Sequence, residues 1–293
     1  MLGQKASVWW MPSNAADRCE RRLTPMGQAL VFGLIGSSAL VIGGSIGAFW
    51  RAPQQVSGVL LAFASGTLIS ALAFELFPEA VHLGGLWPAG LGLIVGGLTF
   101  VLVNAALDSW VAKSAGDPHR VPVPSGDAAE GLSGAEAEQT ERVEQASTGG
   151  ANAAVGFALL AAVTLDGVPE NLALGVSLLS GGGSLVLLVA IFCSNFPEAL
   201  VGAVAMRRGG RSASFAIAIW TLTAVLLTGA VVFGRGVFVL LPEEHLAFPL
   251  AFAGGAVLAS LADTLMPEAF EHGRPLNSMA TAAGFFVSFV LSG

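Results

Sequence analysis

Eight stretches of this chain, 23–50, 52–74, 80–107, 145–165, 171–197, 212–234, 245–262 and 275–293, contain no Asp, Glu, Lys or Arg. Each is near or above the roughly 18–20 residues that a helix needs to cross the hydrocarbon of a bilayer. The whole chain is 54% hydrophobic and only 11% charged, against about 25% charged in ordinary soluble domains. The fold class expected is therefore all-α, a polytopic membrane protein with eight transmembrane helices. Thirty-eight glycines, some spaced as Gly43/Gly47 and Gly92/Gly96, suit helices that approach closely in lipid.

The charged residues lie between these runs and orient them. With the N-terminus outside, Arg51, Lys113, Arg120, Arg142, Arg207, Arg208, Arg211 and Arg274 fall in cytoplasmic loops, and Arg235 alone falls in an external one. That asymmetry obeys the positive-inside rule. Lys5, Arg18, Arg21 and Arg22 of the N-terminal tail run against it. The predicted layout is an external tail at 1–26, helices one to three at 27–111, a disordered cytoplasmic loop at 112–150, helices four and five at 151–206, and helices six to eight at 212–293. The 112–150 segment holds seven acids, three bases and little to bury, as disordered segments do. Residues 1–26 lack the charged and apolar pattern of a cleavable signal, and Met26 is an alternative start. A cell (plasma or inner) membrane location with both termini outside follows. Cys19 and Cys193 lie in a tail and within a span, which argues against a structural disulfide. Nothing points to nucleic acid as a partner.

An internal repeat organises the chain further. Residues 61–80 (LAFASGTLISALAFELFPEA) and 250–269 (LAFAGGAVLASLADTLMPEA) agree at 11 of 20 positions without a gap. These are the second and seventh predicted spans, five crossings apart, so the copies are expected to run in opposite directions. Inverted repeats characterise secondary transporters, whose substrate site lies near the midplane between the halves. Helices four and five, joined near Ser180–Ser184, stand outside the repeat, and a 3+2+3 arrangement results.

Those two helices carry the chemistry. Asp166-Gly-Val-Pro-Glu170-Asn171 and Ser194-Asn195-Phe-Pro-Glu198-Ala each place a carboxylate directly after a proline within an apolar run. Intramembrane carboxylates are costly and ordinarily face a cavity or partner that uses them. Residues four apart share a helix face, so Asp166 and Glu170 point together, as do Ser194 and Glu198. Pro169 and Pro197 cannot donate to the carbonyls of Leu165 and Cys193, which kinks helices and frees acceptors. If the helices pack together, Asp166, Glu170, Asn171, Ser194, Asn195 and Glu198 form a set of hard oxygen donors suited to a divalent cation. No basic residue lies within 143–206 to neutralise the acids. A protonated structural carboxyl is the alternative for any one acid, and interhelical hydrogen bonding accounts for Asn171, Ser194 and Asn195 as well as ligation does.

Four further acids, Glu75, Glu79, Asp263 and Glu268, lie toward span ends, where they could line a pathway or simply cap a solvated terminus. His82, His119, His245 and His272 are near helix ends or in loops, so none is expected to be a central ligand. The chain has no His-Glu-x-x-His and no credible Gly-x-Ser-x-Gly nucleophile, and no enzymatic activity is expected.

These motifs resemble the ZIP (ZRT/IRT-like) divalent metal transporters, whose fourth and fifth helices carry His-Asn-x-Pro-Glu-Gly and His/Gln-Asp/Glu-x-Pro-Gln/Glu-Glu/Gly. The second helix is similar too, with Glu75 where the family usually has histidine, followed by Pro78, Glu79 and Ala80. The resemblance implies first-site ligands at Asp166, Glu170, Ser194 and Glu198, and second-site partners at Gly167 and Asn195. It implies transport of a divalent metal ion (zinc, iron or manganese) as substrate, and a homodimer. Asp166, Gly167, Asn171 and the Ser194-Asn195 pair depart from the family pattern, so one metal at a time is expected. Carboxylate in place of imidazole shifts preference toward manganese, iron(II) or magnesium. The alternatives are a proton-coupled transporter of another solute or direction, and a metal-binding sensor without transport.

Overall fold

The computed structural model describes residues 24–50, 52–114, 167–179, 184–208 and 210–292. All regular structure among them is helical. In chain order the helices are α1 (Pro25–Phe49), α2 (Gln54–Ala71), α3 (Phe77–Gly84), α4 (Leu86–Ser114), α5 (167–179), α6 (Ser184–Arg208), α7 (Ala213–Phe238), α8 (Ala247–Ser260), α9 (Met266–His272) and α10 (Asn277–Ser292). Six segments are long and apolar enough to cross a bilayer: Pro25–Phe49, Gln54–Gly84, Leu86–Leu107, Leu185–Arg208, Ala213–Phe238 and Glu243–His272. The chain is a multi-pass membrane protein. α10 is a shorter apolar helix, and the predicted fourth span at 145–165 and the loop at 112–150 lie outside the described residues.

Local sequence explains the helix ends. Thr24 caps α1, its hydroxyl accepting from the Gly27 N–H at 3.2 Å, with Pro25 as the first helical residue; both choices serve donors that the helix itself leaves unpaired. Ser212 does the same for Phe215 of α7. Gly85, at φ 88°, ends α3 and reverses the chain into α4, a conformation that residues with a Cβ rarely adopt. Arg235 of α7 donates to the Leu178 carbonyl in the last turn of α5, where a cation also meets the negative end of the helix dipole.

Between α2 and α3 the chain forms one π turn, Leu72–Leu76, and between α8 and α9 another, Leu261–Leu265. The repeat aligns position 72 with 261, so both copies widen at the same place. Phe77 N–H bonds to the Leu72 carbonyl and Met266 N–H to that of Leu261, each five residues back. Pro78 and Pro267 follow immediately. A proline ring collides with the carbonyl four residues earlier in a regular α-helix, and the wider turn gives that ring room. The sequence reading treated these spans as continuous helices and did not anticipate the π turns.

Glycines set the packing between helices. A Cβ on Gly66 of α2 would run into the Thr281 carbonyl of α10, and one on Gly284 of α10 into the Phe63 carbonyl of α2. The equivalent pair recurs in the other copy: Gly255 of α8 against the Leu93 carbonyl of α4, and Gly96 of α4 against that of Phe252. Gly84 meets Ala247 while Gly254 meets Leu76, so contacts descend α2–α3 as they ascend α8, and the matched segments pack antiparallel. Gly58 against Gly273 completes the symmetry. Elsewhere α1 packs against α6 and α7. The face of α4 bearing Leu91, Ile94, Leu98 and Leu102 is exposed, as suits a helix that meets lipid.

Candidate functional site

α5 and α6 meet through one polar pair. The Ser194 hydroxyl of α6 lies 3.4 Å from Glu170 Oε2 of α5 and 3.0 Å from the Ile191 carbonyl. A hydroxyl has one proton to give, and the shorter contact goes to Ile191. The Ser194 hydroxyl is thus a donor shared between the Ile191 carbonyl and, more weakly, the Glu170 carboxylate. Glu170 is 6% exposed and Ser194 fully buried. A carboxylate at such depth is costly to ionise unless donors or a cation meet it.

Asn195 continues this surface. Its Nδ2 donates to the Gly36 carbonyl of α1 at 3.1 Å, and its Oδ1 is buried with no hydrogen-bond partner among the described residues. An orphaned buried acceptor is uncommon in folded proteins. Glu198, half-buried, follows Ser194 by one turn on the same face. At about 100° per residue, Ser194, Asn195 and Glu198 occupy an arc of roughly 100° on α6. Ser194 and Asn195 thus link α6 to Glu170 of α5 and to Gly36 of α1, and Glu198 lies one turn further along α6. Pro197 lies inside α6, which continues unbroken through it, leaving the Cys193 carbonyl without its usual donor.

Asn171 is placed differently. Its helix face is shared with Gly167 and Gly175, and these abut Leu227 and Val231 of α7. Asn171 thus lies about 100° around α5 from Glu170, on the side packed against α7. Its Nδ2 donates to the Gly167 carbonyl at 2.8 Å, while Oδ1 is buried and has no partner among the described residues. Gly167 is itself informative: a Cβ there would come 2.5 Å from Leu227 Cδ1. Leu227 fills the space that a longer side chain at 167 would need. The sequence reading did not single out Leu227, because an apolar residue in an apolar span carries no local signal.

Asp166 lies outside the described residues, as does the Leu165 carbonyl. Among the described residues no group of three His, Cys, Asp or Glu side chains gathers in one place. The four pathway acids are dispersed. Glu75 lies in the first π turn and Glu79 just beyond it, both half-buried. Asp263 lies in the second π turn, exposed, and accepts from Asn104 Nδ2 at 2.9 Å. Glu268 is 6% exposed and so is not a solvated helix end; the Gly58–Gly273 approach draws α9 against α2. His82, His245 and His272 all lie at or next to helix ends.

No protein-family model matches this chain, and no curated protein sequence matches it.

Proposed function

We propose that this protein is a ZIP-like transporter that carries divalent transition-metal ions (zinc, iron or manganese) into the cytoplasm through an oxygen-lined site between α5 and α6. The observation that carries the reading is the buried Glu170–Ser194 pair, a hydroxyl and a carboxylate 3.4 Å apart, with Asn195 Oδ1, which has no partner among the described residues, on the adjoining face. Burying an ionised carboxylate is costly even where a hydroxyl donates to it, and a bound cation offsets that cost. Asp166 and Glu198 complete the proposed ligand set.

In this reading the chain crosses the membrane eight times, with both termini outside. Helices one to three and six to eight form inverted halves around helices four and five, and the protein forms homodimers. The matched π turns, the reciprocal glycine contacts and the antiparallel packing of the two repeat copies support a two-fold relation between the halves. Inverted halves provide alternating access by rocking around a fixed midplane site. Leu227 against Gly167 supports one ion per site, since the position to which the resemblance assigns a second-site partner has no side chain. The ion enters from outside, exchanges water for the Glu170, Ser194, Asn195, Glu198 and Asp166 oxygens, and leaves toward the Arg207/Arg208 end.

The test is uptake of zinc, iron(II) and manganese into proteoliposomes by the parent chain and by Glu170→Ala and Glu198→Ala. Both variants are expected to lose most saturable uptake. Undiminished uptake in both would sink the proposal.

A further inference from the structure

Trp220 of α7 is buried at 4% exposure inside a socket made by two glycines on two other helices. A Cβ on Gly44 of α1 would come 2.8 Å from the indole Cδ1 and Cγ, and one on Gly202 of α6 would overlap the ring at Cζ2. Neither α1 nor α6 could hold the ring in this way with a larger residue. Gly202 follows Glu198 by four residues, hence on the same side of α6 and about 6 Å nearer the Arg207/Arg208 end. The indole thus fills the space between α1, α6 and α7 directly beyond the oxygen-lined region.

The indole N–H adds a second observation: Nε1 is buried with no hydrogen-bond partner among the described residues. Tryptophan can only donate there, and a buried donor without an acceptor disfavours the state that contains it. Steric fit holds the ring in its socket, and hydrogen bonding favours its release. That balance suits a part that must occupy two positions.

Building on the transport reading, we infer that Trp220 is the inner closing residue of the ion pathway. Its indole seals the α1–α6–α7 space one turn beyond Glu198, and it leaves the glycine socket and gains an acceptor when that end opens. It acts on access to the site and does not ligate the ion.

The test is sided thiol labelling of the full-length chain in vesicles. In a Cys19→Ser, Cys193→Ser background, Ser194→Cys places one near-isosteric thiol at the site, and a membrane-impermeant thiol reagent is applied from each face. With Trp220 present, labelling from the Arg207/Arg208 face is expected to be slow. Trp220→Ala should raise it several-fold, and Trp220→Phe, which keeps a ring in the socket, should restore most of the protection. Gly202→Ala, which displaces the ring and leaves Trp220 in place, should raise labelling as Trp220→Ala does. Labelling from that face that is the same in all four chains overturns the inference. Ion uptake by the parent chain, which keeps Ser194, in separate vesicles separates the two ideas: flux there with Trp220-independent labelling defeats this inference alone, and Trp220-dependent labelling with no flux in the parent chain defeats the transport reading alone.

Discussion

Ser194 stands 3.4 Å from Glu170 across the α5–α6 interface, yet its hydroxyl proton has a nearer acceptor in the Ile191 carbonyl at 3.0 Å. Ser194 is therefore a shared and weak donor to this carboxylate. Ser194→Ala is expected to weaken manganese binding by roughly three- to tenfold, in line with the about 1 kcal/mol of a single polar contact. Glu170→Gln should weaken it far more. Titration calorimetry on detergent-solubilised protein distinguishes the two, and equal losses would mean that Ser194 matters for folding and not for the ion.

Ion preference follows from donor type. Every candidate ligand is an oxygen, and the described histidines lie at or next to helix ends. Hard oxygen sites favour manganese and iron(II) more than imidazole-rich sites do. In competition assays, excess manganese is expected to suppress zinc uptake at least as well as zinc suppresses manganese uptake. A clear zinc advantage would show that geometry outweighs donor hardness here.

Stoichiometry tests the role of Leu227. The bound ion measured by elemental analysis should be one per chain. Gly167→Ala pushes a methyl to 2.5 Å from Leu227 Cδ1 and should destabilise the protein by about 1–3 kcal/mol, the usual range for overpacking. Leu227→Ala, combined with it, should recover part of that loss. Additive losses in the double variant would mean that the two residues do not share this space.

The reciprocal glycine contacts make a stability prediction. Gly66→Ala and Gly255→Ala each force a methyl against a backbone carbonyl of the neighbouring helix, which cannot rotate away. Each is expected to lower the thermal unfolding midpoint in detergent by several degrees, and by similar amounts, since the two sites are related by the repeat. Gly229→Ala, where nothing lies within 4 Å, should have no such effect. A tolerant Gly66 with a sensitive Gly255 would show that the halves are packed unequally.

Much of the architecture was legible because it is written in one dimension. Uncharged runs mark apolar helices, and a gapless 20-residue match marks the repeat. The Pro-Glu elements mark where polar groups enter apolar segments. The π turns were not legible in this way: Leu72–Leu76 and Leu261–Leu265 share composition with ordinary helix, and only the prolines that follow hint at the extra width. Glu268 reads as a helix-end acid, and burial comes from the distant Gly58–Gly273 contact.

Sequence by itself determined that the chain is helical and membrane-spanning, that it contains a repeat, and that Glu170 and Ser194 are placed to meet if their helices pair. Helical periodicity assigns residues to faces, but it does not say which neighbour each face meets. Tertiary structure decided that Glu170 faces Ser194 while Asn171, one residue on, belongs to the face against α7. It also set Leu227 over Gly167 and Trp220 between Gly44 and Gly202. These outcomes depend on how closely separate helices approach, and that is fixed by side-chain volumes meeting across interfaces far apart in the chain.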